Sequence, residues 1–410
     1  MTQIADGTPR GAADWAPAAV GTVAITDSDR IPFAVPDLGE AEVAAVADAL
    51  RSGWITSGPQ MAAFEQDFVS FTAAPVHAVA TNSATAGLHL ALEALGIGPG
   101  DEVLVPTWTF TATAEVVGYL GATPVLMDVD PTTLNLDLAK VAAAIGPRTK
   151  AVLPVHMAGL SVDMERLAAL CAPQGIKIVE DAAHALPAST RGELVGSCRW
   201  SDATVFSFYA NKTITTGEGG MVTTRNSEIA ERIRVMRLHG IDRDVFHRYR
   251  SDRPAWAYDV VAPGFKYNMP DTAAAMGRVQ LGRVQELRDK RAAIADRYVR
   301  DLADLPLDLP ASPGDGDVHA WHLFIIRLRP DAPLTRDGFI QEMSDRGISC
   351  SVHFIPLHQH TYWRESLGLT DEMFPAAAAA FPTVVSLPLF SSMSESQVDR
   401  VVAAIHEILA

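Results

Sequence analysis

The chain predicts an α/β fold: a large domain with a mostly parallel sheet flanked by helices, followed by a smaller C-terminal α+β domain. Three observations carry this. From about Glu40 to Asn226, short apolar runs alternate with helical patterns, as they do when helices form the crossovers of a parallel sheet. After Pro270 the texture changes to a long charged helical stretch and then to strands and helices in mixed order. At 410 residues the chain is also long for one core, so two lobes are expected. The expected divisions are a tail over 1–30, a large domain over 31–270 and a small domain over 271–410.

The opening segment to about Asp27 is rich in Ala, Gly, Pro and Thr and has no basic region followed by an apolar one. It reads as a mobile tail and not as a secretory signal. "LGEAEVAAVADALRSG" is an amphipathic helix ending at Gly53, and "ATAGLHLALEALGI" is a second helix. "EVLVP" is a short strand, "FTATAEVVGYLG" a helix and "TPVLMDV" a strand. "TKAVLPVH" and "IKIVED" are two more strands, with the helix "DMERLAALCAPQ" between them. Val205 to Tyr209 is a buried strand, and the run from Gly219 to Thr224 is a turn into another. "DTAAAMGRVQLGRVQELRDKRAAIADRYVRDLADL" reads as one long amphipathic helix. Behind it come "AWHLFIIRL", a helix near Phe339 to Arg346, "SCSVHFI", a helical alanine run at Ala376 to Ala380, and a last helix from Ser394.

Composition narrows the function. A net charge of −16 argues against nucleic acid or an anionic membrane as partner, and any anionic ligand needs a local positive site. No apolar run is long enough to span a bilayer. Cys171, Cys198 and Cys350 are few, widely spaced and odd in number. They show no zinc spacing and suit a reducing, cytoplasmic compartment; no metal is expected.

The chemistry-bearing residues form an ordered set. Lys212 lies between an aromatic strand and a glycine cluster in "VFSFYANKTITTGEGG", a setting in which a lysine can be partly buried, lowered in pKa and able to form an imine. "TNSATAGLHLAL" opens a helix with small residues, leaving backbone N–H groups free for a phosphate; an ordinary N-cap by Asn82 or Ser83 is the plain alternative. "IKIVEDAAHAL" places Glu180 and Asp181 at a strand end, where an acid can pair with a protonated ring nitrogen, and His184 one turn on; a helix cap by Asp181 and a packed histidine are the alternatives. "PTWTFTATAEV" places Trp108 and Phe110 after a strand, able to cover a flat ring or simply to fill the core. Helix end, aromatic, acid, Ser207 and Lys212 together are what pyridoxal 5'-phosphate requires.

These stretches, with "IPFAVPDLGEAEVAAVADALRSGWITSGPQ", "GFKYNMPDTAAAMGRVQL", "HAWHLFIIRL" and "SVHFIPLH", resemble the DegT/DnrJ/StrS family of sugar aminotransferases from about Ile31 onward. Within it, "VEDAAHA", "KTIT" before "EGG", "GFKYN" and "HAWHLFIIR" lean toward the enzyme that makes UDP-4-amino-4-deoxy-L-arabinose. The resemblance implies fold type I architecture and transfer of an amino group from L-glutamate to the keto carbon, at C4, of a UDP-linked keto sugar. It implies that Lys212 carries the cofactor imine and shuttles the proton, Asp181 pairs with the pyridinium nitrogen, and His184 sits near the ring hydroxyl. Thr85, Ala86 and Ser207 would hold the phosphate, Trp108 would stack on the ring, and Thr56 and His353 would meet the substrate. Many relatives read "GYNYR" where this chain reads "GFKYN", so Lys266 and Asn268 stand at the positions implied to reach a neighbouring subunit's phosphate. A homodimer with shared active sites is therefore implied. Two alternatives belong to other classes. A dehydratase of the same fold has histidine at the lysine position, which Lys212 speaks against. A non-catalytic cofactor-binding regulator would need an effector module for which the length leaves no room.

Overall fold

The computed structural model describes residues 30–242 and 258–409. Met1–Arg30 and Ile31–Ala410 separate as two units, so the tail expected over 1–30 lies almost wholly outside the described residues.

Among the described residues, nine strands precede the second lobe: β1 (His77–Thr81), β2 (Glu102–Pro106), β3 (Thr123–Met127), β4 (Thr149–Val152), β5 (Lys177–Asp181), β6 (Ser189–Thr190), β7 (Glu193–Leu194), β8 (Ala203–Ser207) and β9 (Gly220–Thr224). Seven form one sheet in the order β1-β9-β8-β5-β4-β2-β3, and β6 and β7 pair as a separate hairpin. β9 runs antiparallel to β1 and β8, and every other neighbouring pair is parallel. Helices cover both faces, so the strands are buried on both sides and read as continuous apolar runs. Val79 and Val205 face a core shared with Leu88 of the helix Ala84–Ala94; Ala80 and Phe206 face a second core with Phe64 and Phe68. The alternation of single residues between two cores is the pleat at work.

The second sheet is antiparallel: β10 (Leu307–Asp308), β11 (Phe324–Leu328) and β12 (Val384–Leu387). Its core gathers Tyr298 of the helix Val284–Asp301, Phe339 of Arg336–Asp345 and Ile405 of Glu395–Leu409.

Three features differ from the sequence reading. β1 and the helix Pro59–Thr72 were not anticipated, although Pro59 at the first helical position is a start signal. The long helix is two, Asp271–Gly282 and Val284–Asp301, divided at Arg283. The first packs on the helices Glu40–Arg51 and Pro59–Thr72, and its Asp271 accepts N–H bonds from Gly58 and Met61 at 2.8 and 3.0 Å. Residues 271–282 thus pack with the large sheet's helices, while Ile31 joins the core of the small sheet and pairs with Ile348. The chain crosses the expected boundary at both of its ends.

Candidate active site

The carboxyl ends of β1, β2, β5 and β8 open on one cavity of about 510 Å³, the edge at which parallel sheets bind ligands. Asp181, the last residue of β5, lines it. Thr113 Oγ1 donates to Asp181 Oδ2 at 2.8 Å, and the Ala183 N–H to Oδ1 at 3.1 Å. Burial pushes this carboxyl above its ordinary range, against the pull of those two bonds and of Lys212.

Lys212 follows β8 in a turn closed by its own N–H to the Tyr209 carbonyl at 3.0 Å. Its Nζ lies 3.4 Å from His322 Nε2. Burial brings its pKa down to about 8, with Asp181 pulling upward and Arg291 pushing further down. A sizeable neutral fraction near neutral pH is what a nucleophilic amine needs.

Three histidines line the cavity with it. His184 and His322 have ring centroids 4.4 Å apart, and His184 also stacks on Phe354 at 5.9 Å. Burial first, and the charge of Lys212 second, hold both well below the ordinary histidine value. His353 is brought down to about 4 in the same way; its Nδ1 lies 3.0 Å from Ser386 Oγ on β12, which places it on the small-sheet side. All three are therefore neutral at pH 7, and Lys212 is the only Lys or Arg among the described residues of the wall.

At the cavity's other end the helix Ala84–Ala94 begins. Both readings of this stretch hold together. Ser83 caps the helix by accepting the Ala86 N–H at 3.1 Å, which leaves the N–H groups of Ala84 and Thr85 for a ligand. Ala86 is thus engaged by the cap and Ala84 takes its place beside Thr85. Ser207 lines the cavity as well. A Cβ on Gly220, the first residue of β9, would lie 2.6 Å from the Ser83 carbonyl oxygen, so only glycine lets β9 start against the helix end.

The aromatic assignment is corrected. Trp108 is fully buried in the core and donates Nε1–H to the His353 carbonyl at 2.9 Å, so it has no face free for a ring. Phe110, 59% exposed, is the aromatic of this stretch on the cavity wall. Thr56, Lys266 and Asn268 do not line the cavity of their own chain. Thr56 is exposed and its carbonyl accepts the Asp271 N–H; Asn268 donates to Ser57 Oγ at 2.6 Å. Lys266 is exposed, with its carbonyl 3.4 Å from Asn82 Nδ2 near the helix end. Sequence reasoning gave no role to His322 or Asn211, and named Phe110 beside Trp108 as able to cover a flat ring or fill the core. His322 and Asn211 both lie inside quoted motifs, but nothing in their spacing sets them apart from core residues.

Strand-end acid, recessed lysine, free helix N-terminus and an aromatic wall on a seven-stranded sheet define a fold type I pyridoxal-phosphate enzyme. The comparisons agree and go further. The chain belongs to the DegT/DnrJ/EryC1/StrS aminotransferase family, which it matches over residues 36–406. It is 43% identical over 381 residues to the spore coat polysaccharide biosynthesis protein SpsC of Bacillus subtilis (strain 168), covering 92% of this chain and 97% of that one. The putative sugar aminotransferase Spr1654 from Streptococcus pneumoniae, in its PMP-form, superposes with a TM-score of 0.86 at 35% identity, covering 92% and 98% of the two chains. Its PLP-form gives 0.84 at 34%, covering 93% and 100%. Helicobacter pylori PseC, an aminotransferase involved in the biosynthesis of pseudoaminic acid, gives 0.85 at 27%, covering 93% and 99%. The chain is a pyridoxal-phosphate-dependent sugar aminotransferase.

The residues present fit that cofactor. His184 Nδ1 and Asn211 Oδ1 are buried without a hydrogen-bond partner inside the cavity wall, which a ligand with polar ring substituents would satisfy. Ala84, Thr85 and Ser207 would hold the phosphate, Asp181 the ring nitrogen, and Phe110 would cover the ring. When bound, pyridoxal phosphate supplies a reversible amine carrier and an electron sink. Lys212 would anchor it and move a proton at Nζ, and Asp181 would hold a positive charge on the ring nitrogen.

Proposed function

We propose that this enzyme moves the amino group of L-glutamate to C4 of a UDP-linked 4-keto sugar, in the cytoplasm, as a homodimer with shared active sites. The observation that carries the chemistry is Lys212, lowered to about 8 in a cavity that also holds Asp181. A sugar acceptor is supported by relatives named for polysaccharide and sugar work, SpsC and Spr1654. The C4 position and the UDP linkage rest on the motifs that lean toward the UDP-4-amino-4-deoxy-L-arabinose enzyme. The test is a panel of UDP- and dTDP-linked 3- and 4-keto sugars with L-glutamate, read by the mass of the product. Amination of a UDP-4-keto sugar is the expected result. Amination confined to 3-keto or dTDP-linked sugars would overturn the assignment.

The shared site is supported by charge. The cavity must take a phosphate and an anionic substrate, yet Lys212 is its only Lys or Arg among the described residues. Lys266 is exposed near the phosphate end and outside its own cavity. Mixing a Lys212→Ala chain with a Lys266→Ala/Asn268→Ala chain should restore activity, because one of the two sites in a mixed dimer is then intact. Verified mixed dimers that stay inactive would place Lys266 and Asn268 within their own chain.

A further inference from the structure

We propose that His322 is a positioning residue for Lys212: its Nε2 accepts a hydrogen bond from Nζ and holds the amine in place whenever it is free of the cofactor, while Arg291 and Ala158 fix the backbone that carries the ring. This rests on Lys212 being the reactive lysine.

The geometry carries the argument. A free lysine amine sits on four rotatable bonds, and ordering such a chain costs conformational entropy. Something must hold it. His322 Nε2, at 3.4 Å, is the one hydrogen-bond partner that Nζ has among the described residues. His322 is itself held through its backbone and against one neighbouring ring, while its Nδ1 is buried without a hydrogen-bond partner among the described residues. Its N–H donates to the Ala158 carbonyl at 3.0 Å, its carbonyl accepts Arg291 Nη1 at 3.3 Å, and its ring lies against His184. Gly159 makes the approach possible: a Cβ there would lie 2.9 Å from both Ala320 Cβ and the His184 carbonyl oxygen. Arg291 is fully buried, forms no salt bridge among the described residues, and spends Nη1 on the carbonyls of His322 and Leu389. A buried guanidinium without a carboxylate is expensive, and here its bonds go to the segment that carries His322.

The charged and titratable groups around His322 are Lys212, His184, His353 and Arg291, with Asp181 across the cavity. They fix the sign of two opposite perturbations. Removing His322 takes an acceptor from the ammonium form of Lys212, so its pKa falls. Removing Arg291 takes away a nearby positive charge, so its pKa rises.

Competitive acetylation of Lys212 on cofactor-free protein, followed by mass spectrometry across pH, reads that pKa without any turnover. A wild-type midpoint near 8 is the reference. His322→Leu should lower the midpoint and reduce kcat about tenfold or more with KM changed less than about threefold. His322→Gln, which keeps an acceptor at similar reach, should restore kcat to within about threefold of wild type. Arg291→Met should raise the midpoint, and Arg291→Lys should lie nearer wild type. A His322→Leu protein with wild-type midpoint and kcat would overturn the proposal. So would equal losses in the Leu and Gln proteins at an unchanged midpoint. Failure of the Lys212 assignment looks different, because Lys212→Ala would then remain active.

Discussion

Glu180 and Asp181 are consecutive residues of β5, both buried, and they project to opposite faces of the sheet. Behind the sheet, Glu180 accepts hydrogen bonds from His156 Nε2 at 2.8 Å, from Thr204 Oγ1 at 2.7 Å and from Ser201. His156 Nδ1 accepts the Val162 N–H, so the ring presents its proton to Glu180. Burial alone would raise this carboxyl, but the donors of His156, Ser201 and Thr204 together hold it below the ordinary range. In front, Asp181 has only Thr113 and the Ala183 N–H as donors among the described residues, and burial wins. Equal burial thus gives opposite results, decided by the number of donors. The back of the strand is complete as it stands, and the front has capacity left for a cation. That asymmetry fits a structural acid behind the sheet and the proposed catalytic acid in front.

Changes at the front should remove rate and leave the fold. The largest effect belongs to Lys212→Ala, which should abolish transamination and also prevent borohydride from fixing the cofactor to the protein. A peptide map of the wild type with the reduced cofactor on Lys266 would move the role to that lysine. Asp181→Asn comes next. An amide cannot stabilise a positive ring nitrogen as a carboxylate does, so kcat should fall by about a hundredfold or more, near 3 kcal/mol. Its Tm should match or exceed wild type, because a poorly satisfied buried acid has gone. A mutant within about threefold of wild-type rate would make Asp181 a second structural acid and erase the contrast.

Glu180→Gln tests the other side. Gln keeps the shape but loses the charge that three donors serve, and its own NH2 must face one of them. A loss of about 1–3 kcal/mol is expected, seen as a Tm lowered by a few degrees, with kcat per folded enzyme nearly unchanged. If the rate collapses while Tm holds, the back of β5 takes part in the chemistry.

The sequence carries the strand-end acid, the lysine loop and the helix start because each is a local pattern: apolar run, then a polar or small residue. It could not say which of Trp108 and Phe110 meets the cavity. Both follow β2, and the path of the chain beyond Pro106 turns Trp108 toward His353, some 245 residues away in sequence. His322 was invisible for a similar reason. Its nearness to Lys212 depends on the close approach that Gly159 allows, a contact between segments far apart in the chain. The division at Arg283 escaped because a helical period carries through it unbroken; only packing on the helices Glu40–Arg51 and Pro59–Thr72 sets the first half apart.

The smallest expected effect is also the most direct reading of the β5 contrast, and it lies in the pH dependence of stability of the cofactor-free protein. Glu180 has a folded pKa below its unfolded value of about 4.3. Its stabilisation is present above that value and is lost as pH falls through the folded pKa. Asp181 has a folded pKa above its unfolded value of about 3.9. Its contribution is present below that value and is lost as pH rises through the folded pKa. The two slopes are opposite, each at most about 1.4 kcal/mol per pH unit, and partly cancel where they overlap. Melting curves between pH 3 and pH 6, taken as differences from wild type, separate them. The Asp181→Asn protein should gain on wild type as pH rises above about 4. The Glu180→Gln protein should lose ground as pH rises toward about 4.3 and then run parallel. Two difference curves of the same sign would mean that the carboxyls share one environment, and that the donors counted behind the sheet do not set the charge on Glu180.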